Sequence, residues 1–188
     1  VLVEADLSEA NLSGATLLRA DFSDATLFSA KLERAELAGA ELAGANLEQV
    51  KAHRAGFGRA NLSEANLFDA DLRETTLVEA DLSGADLRCA KLHGARLREA
   101  TLDDADLERA DLGKADLEQA TVSGASLRRC DLRASRLRGV RGYEKASWIA
   151  ADMRDIDFSG AYMLRRFAND QNYLDEFRTR NRVYGWIY

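Results

Sequence analysis

The chain has no proline, only two cysteines and only two histidines in 188 residues. Each scarcity excludes something. Proline is the one residue with no backbone N–H, so its absence suits a backbone in which nearly every N–H donates. Two cysteines are too few for a disulfide scaffold. Cys89 and Cys130 are 41 residues apart and fall on opposite sides of the pattern described below, so two free thiols and a reducing compartment, the cytoplasm, are expected. His53 and His93 stand 40 residues apart at outward positions, too far apart to share a metal, which argues for solvated histidines and no metal. No run of 18 apolar residues is long enough to cross a bilayer. No charged-then-apolar leader opens the chain. It begins without methionine and already in register at Leu2, which reads as a piece of a longer chain. A glycine-rich phosphate loop is missing, and serine never comes with an adjacent base and orienting group. No cofactor is implied.

What fills the sequence instead is a period of five. Every fifth residue from Leu2 to Leu137 is apolar, and 24 of these 28 positions are Leu, with Phe22, Ala52, Phe57 and Val122 as the others. A second beat runs from Ala5 to Val140 and is Ala at 23 of 28 positions. The unit reads Ala-(Asp/Asn/Thr)-Leu-x-x. Five residues on an α-helix advance the side chain by about 140° past a full turn, which leaves no apolar stripe. On a flat strand an odd period sends successive Leu to opposite faces. Ala and Leu, two apart, share a side, and the next three residues are mostly polar. A short extended piece followed by a bend satisfies both facts. Repeated, it winds a dry-centred coil whose turns stack about 4.8 Å apart.

Tandem Ala-(Asp/Asn)-Leu-x-x over residues 3–140 resembles the pentapeptide repeat family. The resemblance implies a right-handed, four-sided β-helix with 20 residues per turn. On that basis the fold class is an all-β solenoid, a right-handed quadrilateral β-helix of about seven to eight coils with a short C-terminal α-helical cap, in which the 28 units make seven coils about 34 Å long at strand spacing. Three segments are expected. Residues 1–140 form the uninterrupted repeat. Residues 141–163 carry a one-residue register shift and a wider coil, with Ala146/Trp148, Ala151/Met153, Ile156/Phe158 and Ala161/Met163 pointing inward. Residues 164–188 form a helical cap or dimerisation segment, with Phe167, Tyr173, Leu174, Phe177 and Tyr184 as its contacts.

Val50 and Ala52 exchange the small and large inward roles, which a core of nearly conserved volume absorbs. A centre filled by Leu and Ala leaves no pocket, so an enzyme is not expected. Attention moves to the exterior. Residues 1–127 hold 13 basic and 24 acidic side chains, whereas residues 128–188 hold 13 and 8. On a 20-residue turn one side collects Asp21, Asp24, Glu41, Glu64, Asp81, Asp103 and Asp104. The opposite side collects Lys31, Arg34, Lys51, Arg54, Arg73, Lys91, Lys114 and Arg133, together with His53. Arg128, Arg129, Arg136, Arg138 and Arg141 follow. Phe28 and Phe68 share an outward column.

A flat exterior over a closed interior suits a non-enzymatic scaffold that binds an unidentified protein partner, with homodimerisation through the end cap. The resemblance implies a second reading, a DNA mimic that binds type II topoisomerases such as gyrase and relates to quinolone resistance. A third is the soluble domain of a membrane-attached, channel-like protein, motivated by Trp186 and Tyr188 beside Arg178, Arg180 and Arg182; it holds only if the chain continues past Tyr188. Direct nucleic-acid binding is disfavoured by the net charge of −6.

Overall fold

The computed structural model describes residues 1–154 and 156. Its backbone pairing follows one rule. The residue between the inward Ala and Leu of a unit forms a parallel bridge to the residue twenty positions on: Asp6 to Thr26, Asn11 to Lys31, Thr16 to Glu36, Asp21 to Glu41. These bridges start four ladders that continue unbroken to Arg141. Four units therefore make one period, and the exterior has four sides. The Asp21 ladder marks the first side, the Asp6 ladder the second, the Asn11 ladder the third and the Thr16 ladder the fourth.

The backbone accounting explains the sequence motif. Around Leu7, the Thr26 N–H donates to Ala5 O (2.9 Å), Leu7 N–H to Thr26 O (2.7 Å), and Glu9 N–H to Phe28 O (2.8 Å). The Ala10 N–H closes the turn on Leu7 O at 3.0 Å. Only the N–H after each inward Leu lacks a backbone acceptor, and where the residue two positions earlier is Asp or Asn its side chain takes it. Ser8 N–H donates to Asp6 Oδ1 at 3.0 Å, Ser63 N–H to Asn61 Oδ1 at 3.1 Å, and Arg88 N–H to Asp86 Oδ1 at 3.1 Å. This Asx turn is the physical reason for the Asp/Asn preference. Proline at the other four slots would delete a bond between turns or within one.

The last residue of every unit is left-handed, with φ from 52° at Asp69 to 75° at Gly124. An i to i+3 hydrogen bond with positive φ at the third residue is the type II turn signature. Most of these corner residues are not glycine; Glu9, Arg54 and Gln119 are examples. Each carries a strain on the order of 1 kcal/mol that the bonds on either side offset.

The inward slots are buried from Phe22 to Leu137. The first period is less covered, and Leu7, Leu12 and Leu17 are only partly buried among the described residues. Val50 and Ala52 are both fully buried, and the ladder passes between them from Lys31 through Lys51 to Asp71 without a break. Two hydroxyls occupy Ala slots. Thr75 Oγ1 donates to Leu72 O at 2.6 Å, whereas Ser135 Oγ is buried without a partner. Both cysteines are free. Cys130 is buried, its Sγ lies 2.9 Å from Leu107 O, and burial pushes its thiol up to about 12.

After Arg141 the pairing advances by one residue: Ser126 bridges Ser147 and Asp131 bridges Asp152. The added residue sits in the turn at Gly142, where a Cβ would lie 2.7 Å from Ser123 N. Tyr143, Trp148, Ala151 and Met153 are buried, and Trp148 Nε1 donates to Tyr143 O at 2.9 Å. Ile156 packs on the rim of the core. Phe158, Ala161, Met163 and the expected cap residues Phe167, Tyr173, Leu174, Phe177 and Tyr184 lie outside the described residues. No helix among the described residues is long and apolar enough to cross a membrane.

Candidate interaction surface

The first side gathers all seven expected carboxylates. Asp21, Glu41 and Asp81 are ladder residues. Asp24, Glu64 and Asp104 are exposed at left-handed corners. Asp103 sits between and accepts the Ser123 N–H across the turn at 2.8 Å. Asp21 accepts the Ser23 hydroxyl (2.8 Å) and N–H (3.1 Å), which hold its carboxyl below the ordinary value. Asp81 accepts the Ser83 hydroxyl at 2.6 Å and N–H at 2.9 Å, and Glu41 accepts Asn61 Nδ2 at 2.9 Å. None of the seven takes part in an ion pair among the described residues. The ladder and turn slots between them hold small residues such as Ala43, Ser63 and Ser83, and no Lys or Arg appears on this side before Arg141. This surface is flat, acidic and without countercharge.

The third side brings the basic residues together and pairs half of them with carboxylates. Asp71, Asp111 and Asp131 share the ladder with Lys31, Lys51 and Lys91. Arg54 pairs with Glu74 at 2.8 Å, Lys91 with Asp69 at 3.1 Å, Arg73 Nε with Asp71 at 2.7 Å and Arg133 Nε with Asp131 at 2.8 Å. Hydrogen bonds from these arginines hold the Asp71, Glu74 and Asp131 carboxyls below their ordinary values. Lys31, Arg34, Lys51 and Lys114 make no ion pair among the described residues. Where the second and third sides meet, a shallow groove of about 400 Å³ runs between Ser29, Gln49 and Asp69 and Lys51, Asp71 and Lys91. Its mixed charge favours no one ligand.

His53 and His93 flank Arg73 in one column of the third side. His53 Nδ1 is buried without a hydrogen-bond partner, and His93 Nδ1 lies 3.6 Å from Asp111. No group of three His, Cys, Asp or Glu able to hold a metal exists among the described residues. The run of arginines near the end is dispersed. Arg128 and Arg129 belong to the second side, Arg133 to the third, Arg136 and Arg138 to the fourth, and Arg141 to the first.

Two features escaped the sequence reading. On the fourth side Glu118, only 8% exposed, lies 3.5 Å from Arg98 and 3.1 Å from Arg136, which also reaches Asp116 at 3.2 Å. On the second side Phe28 and Phe68 are half-buried, and the Arg88 guanidinium covers the Phe68 ring at 5.5 Å. Charges of opposite sign eighteen or twenty residues apart were the available signal for the first, and an arginine twenty residues past an aromatic was the signal for the second.

The family model for pentapeptide repeats matches in eight copies across residues 5–42, 30–67, 65–104 and 100–139. Among solved structures, the chain is similar to HetL, a pentapeptide repeat protein involved in heterocyst differentiation regulation in the cyanobacterium Nostoc sp. strain PCC 7120. Identity is 35% over 85% of this chain and 72% of HetL, with a TM-score of 0.40. It is also similar to Rfr23 from the cyanobacterium Cyanothece 51142, at 38% identity over 50% of this chain and 63% of that one, with a TM-score of 0.49. Trypsin-treated QnrB1, a plasmid-mediated fluoroquinolone resistance protein, shares 20% identity over 82% of this chain and 80% of its own, with a TM-score of 0.46. No curated protein matches the chain.

Proposed function

We propose that this chain, which belongs to the pentapeptide repeat family, is a non-enzymatic scaffold that works by binding a protein partner on its outer surface. Its finer architecture is a right-handed quadrilateral β-helix of stacked twenty-residue coils, and the expected cap or dimerisation segment at 164–188 lies outside the described residues. The inward slots are filled by Leu and Ala, so recognition falls to the outside. The observation that carries the reading is the first side: seven carboxylates on small-residue flats, none neutralised. Such a surface attracts a basic partner and excludes acidic ones. Most ionic residues of the third side are satisfied internally, so that side contributes less to attraction. Two free thiols fit a reducing compartment, the cytoplasm.

The test is capture from a lysate with the intact protein against a variant carrying Asp21→Lys, Glu41→Lys, Glu64→Lys and Asp81→Lys. The reading expects specific partners on the first and none on the second. Identical captures would refute it.

The same carboxylates motivate a second reading, imitation of DNA toward a type II topoisomerase. The charge density disfavours it. DNA carries one charge per about 1.7 Å of axis, whereas the first side offers about one carboxylate per 4.8 Å turn. Inhibition of gyrase supercoiling at micromolar protein would favour this reading over the broader one; no effect would end it.

A further inference from the structure

The first and second sides adjoin, and over the first four periods they form a single field. Residues 1–9, 20–29, 40–49 and 60–69 hold nine carboxylates and no Lys or Arg. The intervening segments 10–19, 30–39, 50–59 and 70–79 hold seven cations and five carboxylates. Among the described residues, Asp69 alone of the nine meets a cation, Lys91 at 3.1 Å. This half of the molecule is therefore electrically two-sided.

Within the acidic half stand Phe28, Glu48 and Phe68. They occupy the same slot on successive turns, just past the Thr26–Asn46–Asn66 ladder. At strand spacing the two phenylalanines are about 10 Å apart, with the Glu48 carboxylate between them. Glu48 is steadied by Asn66 Nδ2 at 3.4 Å and makes no ion pair among the described residues. One turn further on, the same column does meet a cation. The Arg88 guanidinium lies 5.5 Å from the centre of the Phe68 ring while its Nε and Nη2 hold Asp86 at 2.8 and 2.6 Å. The molecule thus contains its own instance of an arginine held by this ring and a neighbouring carboxylate. On the Glu48 side of Phe68, and at Phe28, ring and carboxylate are present and the arginine is not.

We propose that Phe28, Glu48 and Phe68 form a subsite for an arginine side chain of a protein partner. The proposal rests on the surface-binding reading above and names the chemistry of that partner. A guanidinium stacks on an aromatic face and donates two parallel N–H groups to a carboxylate. A lysine ammonium meets the same carboxylate as a point charge only. The acidic half draws any basic segment toward it, and the aromatic column selects arginine.

Two amidated peptides test this, identical except that one carries two arginines where the other carries two lysines. Their affinities are measured by calorimetry at low salt. The arginine peptide should bind about threefold to tenfold more tightly. Phe28→Leu/Phe68→Leu should bring that ratio to about one without weakening the lysine peptide, because leucine keeps the apolar bulk and loses the π face. Leucine is native to the equivalent slot at Leu18, so the fold tolerates it. Glu48→Gln should weaken both peptides. Equal affinity of the two peptides, a ratio indifferent to the phenylalanine substitutions, or binding of neither peptide overturns the subsite. Loss of the arginine preference alongside capture that still depends on the first-side carboxylates would refute the subsite and leave the surface-binding reading standing.

Discussion

Replacing Ser135 and Thr75 by alanine, the residue that fills most equivalent slots, should move stability in opposite directions. Both hydroxyls are buried, at 1% and 0% exposure. Thr75 Oγ1 donates to Leu72 O at 2.6 Å. Ser135 Oγ has no partner among the described residues. Ser135→Ala removes an orphaned polar group and leaves the apolar contacts of the Cβ intact. Desolvation of an unsatisfied hydroxyl costs about 1–3 kcal/mol, so the variant should gain about 1 kcal/mol after relaxation of the site. Thr75→Ala removes a methyl, about 0.8 kcal/mol, and a made hydrogen bond, about 1 kcal/mol, and should lose about 2 kcal/mol. Two substitutions to the same residue in the same kind of slot are thus separated by about 3 kcal/mol. Urea denaturation followed by circular dichroism measures both, with the slope checked for constancy, because stacked repeats can open locally. A destabilised Ser135→Ala, or a Thr75→Ala within about 0.5 kcal/mol of the parent, would refute the assignment of partners inside the tube.

Glycine is dispensable at most corners and required at one. Gly84→Ala places a Cβ 3.5 Å from the Glu64 side chain in a conformation that Glu64 and Asp104 already adopt, and should cost about 1 kcal/mol; Gly142→Ala meets the Ser123 backbone at 2.7 Å and should melt far earlier. Thermal melts compare the two, and equal losses would remove the special role of Gly142. The Asp71, Asp86 and Asp131 carboxyls are held below their ordinary 3.8 by hydrogen bonds from Arg73, Arg88 and Arg133. A depressed carboxyl contributes stability that is complete above its unfolded value and disappears as pH falls through the folded one. Melting temperature should therefore drop as pH is lowered from about 4 toward 2. A triple Asp→Asn variant, which keeps the acceptor for the turn N–H, should start lower at pH 7 and drop less; a parallel acid profile would show that these pairs contribute nothing.

The period of five made the inward residues legible, because apolar side chains at a fixed beat have one economical arrangement. Leu27, Ala70 and Leu117 lie where that beat puts them. The twenty-residue pairing was not derivable from the beat alone, which is silent on how many units close a turn; it came from the family resemblance. The slot after Ala was read as a preference for Asp and Asn without its cause, although an Asx side chain two residues before an unpaired N–H is a readable turn signal. The left-handed corner went unread because Glu and Arg together occupy it more often than glycine does, and composition therefore hides it. The basic side was read from its cations alone. Its lysines and arginines alternate with Asp71, Glu74 and Asp131, and side-chain reach decides that they pair. Phe28 and Phe68 were seen as a column, but Glu48 between them and Arg88 beyond were not, since only the stacking joins residues twenty apart.

Every surface argument depends on turns that repeat each twenty residues and stack in register. Spin labels at Ser23 and Asp103, and at Ser23 and Ser123, measure this by electron–electron dipolar spectroscopy. Cys89 is replaced by alanine, and Cys130 stays unlabelled in the core. The sites share one slot of the first side, four and five turns apart, so distances of about 19 and 24 Å are expected, a step of about 5 Å for one added turn. Distances that fail to grow by that step, or that place the two labels on different sides, would contradict the stacking and the division into acidic and basic halves built on it.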